Sequence, residues 1–206
     1  YEKGATKKLT SFGLEVESKV FPGDISDEAF KREFAAINAD ASVDGILMLR
    51  PLPKQINEQD IEKMIDPAKD LDGISPVNIA KVFSGDTSGF APCTAEAVVC
   101  MLKMNDIALS GKRVAVVGRS MVVGRPLSML LLHENATVTI CHSRTASLPE
   151  VCREADILAA CVGKAAMINH TYVKKDAVVI DVGINVDENG KLCGDVDFAD
   201  LEGTAS

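Results

Sequence analysis

Four short apolar runs in the second half of the chain constrain its fold more than any other feature. Each run ends in a polar or glycine-containing tip, and helix-like segments at 123–133 and 147–154 and a short connection near 165–174 separate them. Short apolar strands that alternate with such connections are typical of a parallel sheet with crossovers. The second half is therefore predicted to be an α/β unit built on the runs KRVAVVGRS, ATVTICHS, ADILAACVG and DAVVIDVGIN.

The first half of the chain predicts a second α/β unit. A capping Ser26 and apolar residues at helical spacing indicate a helix at 26–38, and helices are also predicted at 2–12, 57–65 and 77–83. The stretches LEVESKVF and DGILMLRPLP are interpreted as strands, the second running into a proline-stiffened loop. A helix at 94–106, capped by Thr94, is expected to bridge the halves. We expect the domain boundary near residue 110, which gives domains 1–110 and 111–206.

Composition excludes several classes of partner. The chain has 206 residues and a formal net charge of −8, which disfavours a nucleic-acid-binding face, because such a face needs a basic stripe. No apolar run approaches the ~20 residues that span a bilayer, and no signal peptide is visible, so no membrane partner is expected. The six cysteines lack CxxC spacing and are interpreted as reduced core residues of a cytoplasmic protein. No histidine or cysteine set has metal-ligand spacing, so no metal is expected.

The run VAVVGRSMVVGRP predicts a phosphate-binding turn. A hydrophobic strand ends at Gly118, and Gly124 lies near the start of the following helix. Such a turn presents backbone N–H groups and the positive helix end to an anion. Ser120 stands where the GxGxxG fingerprint has its second glycine, so a plain strand–turn–helix without a ligand stays an alternative at this point.

The tip of the next strand, CHSRT at 141–145, favours NADP over NAD. An acidic residue there would bind the ribose 2′-hydroxyl of NAD, but Ser143 and Arg144 are donors with no carboxylate beside them. Arg119 extends from the neighbouring tip. Two guanidinium groups and a hydroxyl suit a 2′-phosphate. A lone histidine such as His142 is commonly a packing or hydrogen-bonding residue.

Seven motifs resemble, in order and across nearly the whole chain, the methylenetetrahydrofolate dehydrogenase/methenyltetrahydrofolate cyclohydrolase family. The resemblance implies an N-terminal α/β folate-side domain, a C-terminal Rossmann-like NADP domain with a parallel sheet, a cleft between them and a homodimer. Family members extend beyond both ends of this sequence, so we expect one wall of the folate site to lie outside it. The motifs are DGILMLRPLP, PAKDLDG, PCT, GRSMVVGRPLSMLL, TVTICHSRT, ADILAACVG and VVIDVGIN.

The resemblance also implies roles for single residues. Asp72 matches the family's folate-binding carboxylate, although a simple turn with Asp70 and Gly73 stays open. Tyr1 matches a tyrosine that covers the folate, and both Tyr1 and Asp72 are assigned to catalysis. Further substrate contacts are implied for Met48, Leu49 and Arg50. Cofactor contacts, the last two near the nicotinamide, are implied for Gly118, Arg119, Ser120, Val123, Gly124, His142, Ser143, Arg144, Gly163 and Ile184.

Two departures from the family pattern bear on the second reaction. Bifunctional members carry Tyr-x-x-x-Lys, with a lysine that handles protons in the cyclohydrolase step, but position +4 from Tyr1 is Ala5. The glutamine that hydrogen-bonds this lysine is replaced by Leu49, with Arg50 after it. We therefore predict an NADP-dependent dehydrogenase whose cyclohydrolase activity is weak or absent, and interpret Lys3, Lys7 and Lys8 as surface charge.

Three alternatives stay open from the sequence. A fully bifunctional enzyme would use Lys8 or Arg50 in place of the missing pair. A non-catalytic folate- or nucleotide-binding paralogue would explain the altered motif. A dehydrogenase for a different substrate would fit the second half but leave KDLDG and RPLP unexplained.

Overall fold

The computed structural model describes residues 2–205 and consists of two compact units, the first ending at Leu71 and the second beginning at Asp72. Helices and a parallel sheet confirm the predicted α/β class. The expected domain boundary near residue 110, with 94–106 as a bridge, stays a prediction.

The first unit is mainly helical. Its helices, all predicted, are α1 (Glu2–Ser11), α2 (Asp27–Ala39) and α3 (Glu58–Met64). Ser26 caps α2 as expected, because its side chain accepts a hydrogen bond from the Ala29 N–H at 3.2 Å. Phe30 and Phe34 lie on the buried face of α2, and the Phe30 ring meets the Phe21 ring edge-on with centroids 5.3 Å apart.

The two strands predicted in the first unit are wrong. Residues 14–20 have no regular structure, and within DGILMLRPLP only Ile46 forms an isolated bridge, to Asp70. The Ile46 N–H donates to the Lys69 carbonyl at 2.6 Å, and the Leu71 N–H donates to the Ile46 carbonyl at 3.3 Å. A strand needs a neighbour along its length to pair its backbone groups, and the described part of the chain supplies one only at Ile46.

The second unit contains the predicted four-stranded sheet. The strands β1 (Arg113–Val117), β2 (Thr137–Cys141), β3 (Ile157–Ala160) and β4 (Val178–Asp181) are parallel in the order β2-β1-β3-β4. The strand order reverses between β1 and β3, and ligands of open α/β sheets bind beyond the carboxyl ends of the strands at such a point. A ligand-binding site is therefore expected at this edge of the sheet.

Helices pack against the sheet, and a short hairpin follows its last strand. The helices are α4 (Pro76–Ser84), α5 (Cys93–Met104), α6 (Gly124–His133), α7 (Leu148–Arg153) and α8 (Phe198–Leu201), with a 3-10 turn at His170–Tyr172. A hairpin of β5 (Asn185–Val186) and β6 (Leu192–Cys193), which the sequence analysis missed, follows β4. Leu102 of α5 and Leu127 of α6, 1% and 0% exposed, pack in one core cluster with the buried strand β1.

Two further expectations need correction. Pro92, not Thr94, occupies the N-cap of α5, so Thr94 lies inside the first turn. Cys141 and Cys152 are buried, but Cys93 and Cys100 are exposed on α5, so the interpretation of all six cysteines as core residues is wrong. Within residues 2–205, no helix is long and apolar enough to cross a membrane.

Candidate active site

The turn between β1 and α6 is shaped by two glycines at which backbone segments approach closely. A Cβ on Gly118 would meet the carbonyl oxygen of Cys161, and a Cβ on Gly124 would meet the carbonyl oxygen of Gly118. The Gly118 N–H also donates to the Cys141 carbonyl at 2.9 Å, which joins the tips of β1 and β2. This packing brings the N-terminus of α6 directly against the switch point of the sheet.

Ser120, the departure from the glycine fingerprint, has a defined role in this turn. Its hydroxyl oxygen accepts the Val123 N–H at 3.1 Å, and its carbonyl oxygen accepts the Arg125 N–H at 3.0 Å. Ser120 thus closes the turn by hydrogen bonds at the position where the fingerprint has a glycine. Arg119, beside it, is exposed.

The CHSRT tip after β2 forms a tight turn that exposes its donors. The His142 N–H donates to the Thr145 hydroxyl at 2.9 Å, and the Arg144 N–H donates to Nδ1 of His142 at 3.1 Å. Ser143 and Arg144 are exposed. His142 therefore shapes the turn, in agreement with its interpretation as a hydrogen-bonding residue, while its contact with a cofactor stays a prediction.

The residues expected beside the nicotinamide lie at the same edge of the sheet. Gly163 follows β3 and Ile184 follows β4, and these strands are parallel neighbours. Ile184 is 84% exposed. Cys161 lies between β3 and Gly163, and burial, with a smaller contribution from the Asp195 carboxylate, raises the pKa of its thiol to about 11. The thiol is therefore protonated at neutral pH.

Asp195 is the residue of this region that the sequence analysis missed. It is 0% exposed, and its carboxylate accepts hydrogen bonds from the loop after β3 and from Asn185. The sequence holds 30 acidic residues, and no spacing singles out this one. The loop after β3 is separated from Asp195 by more than 30 positions, and only the fold brings the two together.

The predicted folate contacts of the first unit differ in accessibility. Met48 is buried, whereas Leu49 is 41% exposed. Arg50 pairs with Glu58 at 3.3 Å and with Glu62 at 3.7 Å. Burial raises the pKa of Glu62, and the nearby Arg50 guanidinium opposes that shift. Arg50 is thus held by two carboxylates of α3.

Helix α1 carries Ala5, the position at which the resemblance implies a lysine. Ala5 is half-buried there, whereas Lys3, Lys7 and Lys8 are exposed, as predicted. The Lys8 ammonium lies over the Phe12 ring, 5.1 Å from its centroid. Tyr1 lies outside the described residues.

In the second unit, Asp72 lies in a turn and is half-buried, followed by Gly73 at φ +60°. Asp70 of the first unit is fully buried. The two aspartates therefore lie in different environments, and Asp72 is the more accessible of them. Its contact with folate stays a prediction.

A parallel sheet whose switch point carries a glycine turn, a helix N-terminus and exposed arginines is typical of a nucleotide-binding α/β domain. Two family models match the chain: the tetrahydrofolate dehydrogenase/cyclohydrolase catalytic domain over residues 1–72, and the NAD(P)-binding domain of the same family over residues 92–206.

Individual relatives agree with these models. The bifunctional protein FolD of Clostridium kluyveri is 55% identical, with 96% of this chain and 70% of the relative covered. The crystal structure of the bifunctional FolD of Campylobacter jejuni, 36% identical, has a TM-score of 0.98 and covers 100% of this chain and 73% of that one. The Trypanosoma brucei FolD, solved with NADP and an inhibitor, is 31% identical with a TM-score of 0.92, covering 99% and 72%.

The chain belongs to the tetrahydrofolate dehydrogenase/cyclohydrolase family. The predicted family is confirmed, and with it the prediction of a dehydrogenase with an NAD(P)-binding domain. The choice of NADP agrees with the cofactor bound in the T. brucei structure. Membership disfavours both the non-catalytic alternative and a dehydrogenase for an unrelated substrate.

Proposed function

We propose that this protein oxidises 5,10-methylenetetrahydrofolate to 5,10-methenyltetrahydrofolate with NADP, and that its cyclohydrolase step is weak or absent. The second part rests on one observation: alanine and leucine occupy positions 5 and 49, where the resemblance implies a lysine and a glutamine. Neither side chain can donate, accept or relay a proton.

The strand tips of the second unit fit the cofactor. Glycines at 118 and 124 let the turn pack tightly on the tip of β3 and on the start of α6, because a Cβ at either position would collide with backbone atoms. This tight packing would bring the N-terminus of α6 up to a pyrophosphate. Arg119, Ser143 and Arg144 are exposed donors suited to the 2′-phosphate. When bound, NADP supplies a nicotinamide ring that accepts a hydride at C4. Gly163 and Ile184 would lie beside that ring.

The oxidation step needs no side chain that transfers a proton. Asp72 would hold the pterin through its amino and ring N–H groups, and the folate nitrogen supplies the electron pair that expels the hydride. Rate enhancement then comes mainly from alignment of the two rings, which can supply roughly 7–11 kcal/mol. A dehydrogenase can therefore work without the lysine and glutamine.

Hydrolysis of the methenyl product is different, because adding water to the methenyl carbon and opening the ring require proton transfer. The Arg50 guanidinium has donors but no acceptor, and it pairs with Glu58 and Glu62. Lys8 is exposed and lies over Phe12. These contacts disfavour either residue as a substitute base.

The test follows reduced nicotinamide and the methenyl chromophore together, with methylenetetrahydrofolate and NADP as substrates. We expect both signals to rise and methenyltetrahydrofolate to accumulate, with much slower turnover when NAD replaces NADP. Cyclohydrolase turnover comparable to the dehydrogenase turnover would contradict the proposal.

The second candidate is a fully bifunctional enzyme. The observation in its favour is that relatives 46–55% identical to this chain are named bifunctional proteins. In the assay above, it predicts that reduced nicotinamide rises while methenyltetrahydrofolate stays low. Replacing Lys8 or Arg50 by alanine would then make the methenyl compound accumulate.

Replacing Arg119 by alanine is expected to weaken the binding of NADP and to leave the binding of NAD nearly unchanged. Loss of a charge-assisted hydrogen bond to the 2′-phosphate should raise the KM for NADP about tenfold and leave the KM for NAD within about twofold. Arg113→Ala is the matched control, because Arg113 is exposed at the opposite end of β1, where it pairs with Glu154 at 3.0 Å. Equal losses for the two cofactors would remove Arg119 from the 2′-phosphate site.

Assembly and location complete the proposal. By resemblance we propose a homodimer that acts in the cytoplasm. Sedimentation of the purified chain with and without NADP would test the first part.

A further inference from the structure

Asp195 is a buried carboxylate to which the proposed reaction gives no role. It lies on the segment between β6 and α8 and is 0% exposed. Burial of an ionised carboxylate is costly unless hydrogen bonds compensate for the lost water. The partners of Asp195 therefore show what its burial accomplishes.

Three successive backbone N–H groups after β3 converge on this carboxylate. The N–H groups of Val162 and Gly163 donate to Oδ2 at 2.6 and 3.1 Å, and that of Lys164 donates to Oδ1 at 2.7 Å. Such a run of N–H groups around one anion is a nest. Gly163, at φ +65°, gives the chain the turn that this geometry needs.

The same carboxylate also holds the loop after β4. The Asn185 side-chain amide donates to Oδ1 of Asp195 at 2.9 Å. The Asp195 N–H donates to the Asp181 carboxylate at 2.9 Å, and the Gly183 N–H donates to the same oxygen at 3.1 Å. A Cβ on Gly183 would meet the Asp195 carboxyl group, so the two segments lie in close contact. Ile184 lies between these two anchored residues.

We propose that Asp195 is a positioning residue for the nicotinamide half of the cofactor site. The inference rests on the proposed function, which places the ring beside Gly163 and Ile184. Asp195 binds Gly163 directly and binds Asn185, the neighbour of Ile184, so it fixes the distance between the two loops. Hydride transfer needs reacting atoms about 3–3.5 Å apart, which makes the rate sensitive to that distance.

Asp195→Asn disrupts the hydrogen bonds that fix the distance between the two loops, while it keeps the size of the side chain. The carboxylate accepts four donors, two on each oxygen, whereas an amide offers one acceptor oxygen and an NH₂ group. One orientation sets the NH₂ group against the Lys164 N–H, and the other sets it against those of Val162 and Gly163. Either way at least one backbone N–H of the loop after β3 faces a donor in place of an acceptor, so the loop must shift.

The experiment compares the whole cofactor with a fragment of it. Full-length wild type and Asp195→Asn are assayed for kcat and KM with NADP and for binding of adenosine 2′,5′-bisphosphate, which lacks the nicotinamide. We expect kcat to fall at least roughly tenfold, because the loop after β3 loses hydrogen bonds to Asp195, while the affinity for the fragment stays within about twofold. A purely structural role would weaken fragment and cofactor in parallel.

Asp187→Asn is the matched control. The Asp187 carboxylate also accepts two backbone N–H groups, from Asn189 at 2.9 Å and Lys191 at 2.8 Å, but in the β5–β6 turn. It should leave kcat and fragment affinity unchanged. Equal behaviour of the two variants, or a parallel loss of fragment affinity in Asp195→Asn, would overturn the proposal.

Two outcomes call for a further measurement. If Asp195→Asn fails to fold, Asn185→Ala, which removes one of the four donors, takes its place. This variant should show a smaller fall in kcat with unchanged affinity for the fragment, and an unchanged kcat would overturn the proposal. If wild type binds both ligands but does not oxidise methylenetetrahydrofolate, the proposed function fails. The inference is then tested by binding alone: Asp195→Asn should lower the affinity for NADP and leave the affinity for the fragment unchanged.

Discussion

The double variant Ala5→Lys, Leu49→Gln is expected to hydrolyse methenyltetrahydrofolate about 10²–10⁴-fold faster than the unsubstituted chain, the usual contribution of a positioned general acid–base. The lysine supplies the group that moves protons, and the glutamine amide supplies a hydrogen bond that orients it. Dehydrogenase turnover should change little, because hydride transfer uses neither side chain. The measurement is the decay of the methenyl chromophore without nucleotide.

Both substitutions are compatible with the fold. Ala5 lies within α1, and lysine is nearly as good a helix former as alanine. Leu49 is 41% exposed, so glutamine there removes little buried apolar surface. The gain in rate should therefore not be offset by lost stability, which thermal unfolding of the variant would verify.

Single variants and a surface control sharpen this result. Residues that act as a unit are non-additive, so each single substitution should recover much less than the pair. Lys8→Ala should leave both reactions unchanged. A fast cyclohydrolase in the unsubstituted chain that disappears in Lys8→Ala or Arg50→Ala would instead establish the bifunctional alternative.

The sheet of the second unit could be predicted because its strands are short and apolar, and the two central strands, β1 and β3, are buried. Val116 and Val117 are 0% exposed, and the glycine and polar tips that follow each strand mark the edge where ligands bind. Local sequence therefore determines both the strand and its end. Helix α2 likewise follows from its capping residue Ser26 and from its apolar spacing.

The strands of the first unit could not be predicted correctly, because neither the alternation in LEVESKVF nor the apolar run in DGILMLRPLP specifies a neighbouring strand. Residues 14–20 alternate well, yet they have no regular structure. Among the described residues, Ile46 pairs only with the segment around Asp70. Pairing is a tertiary property that short-range patterns do not contain.

The residues of the candidate site also differ in whether the local sequence predicts them. Arg119, Ser143 and Arg144 lie at strand tips, so their exposure follows from the strand pattern itself. Asp195 is separated by more than 30 positions from Val162, to which it is hydrogen-bonded. A buried carboxylate acquires its role from partners that only the folded chain collects.

Gly124→Ala is expected to raise the KM for NADP about 10²-fold, since displacing the turn by about 1 Å is enough for such a loss. The new Cβ would lie 2.6 Å from the Gly118 carbonyl carbon and 2.9 Å from the Arg119 nitrogen, both backbone atoms that cannot rotate away as a side chain would. The turn must open or α6 must move, and Arg119 moves with either change. The measurement is the KM for NADP together with the affinity for adenosine 2′,5′-bisphosphate, and both should weaken.

Gly23→Ala is the control for this variant, because a Cβ at Gly23 meets nothing within 4 Å. It should change neither KM nor fragment affinity. The two ligands also separate this effect from that of Asp195→Asn, which should spare the fragment. A Gly124→Ala protein that binds NADP normally would show that the cofactor does not use the turn between β1 and α6. In that case the close packing of Gly124 on Gly118 would serve only to seat α6 on the sheet.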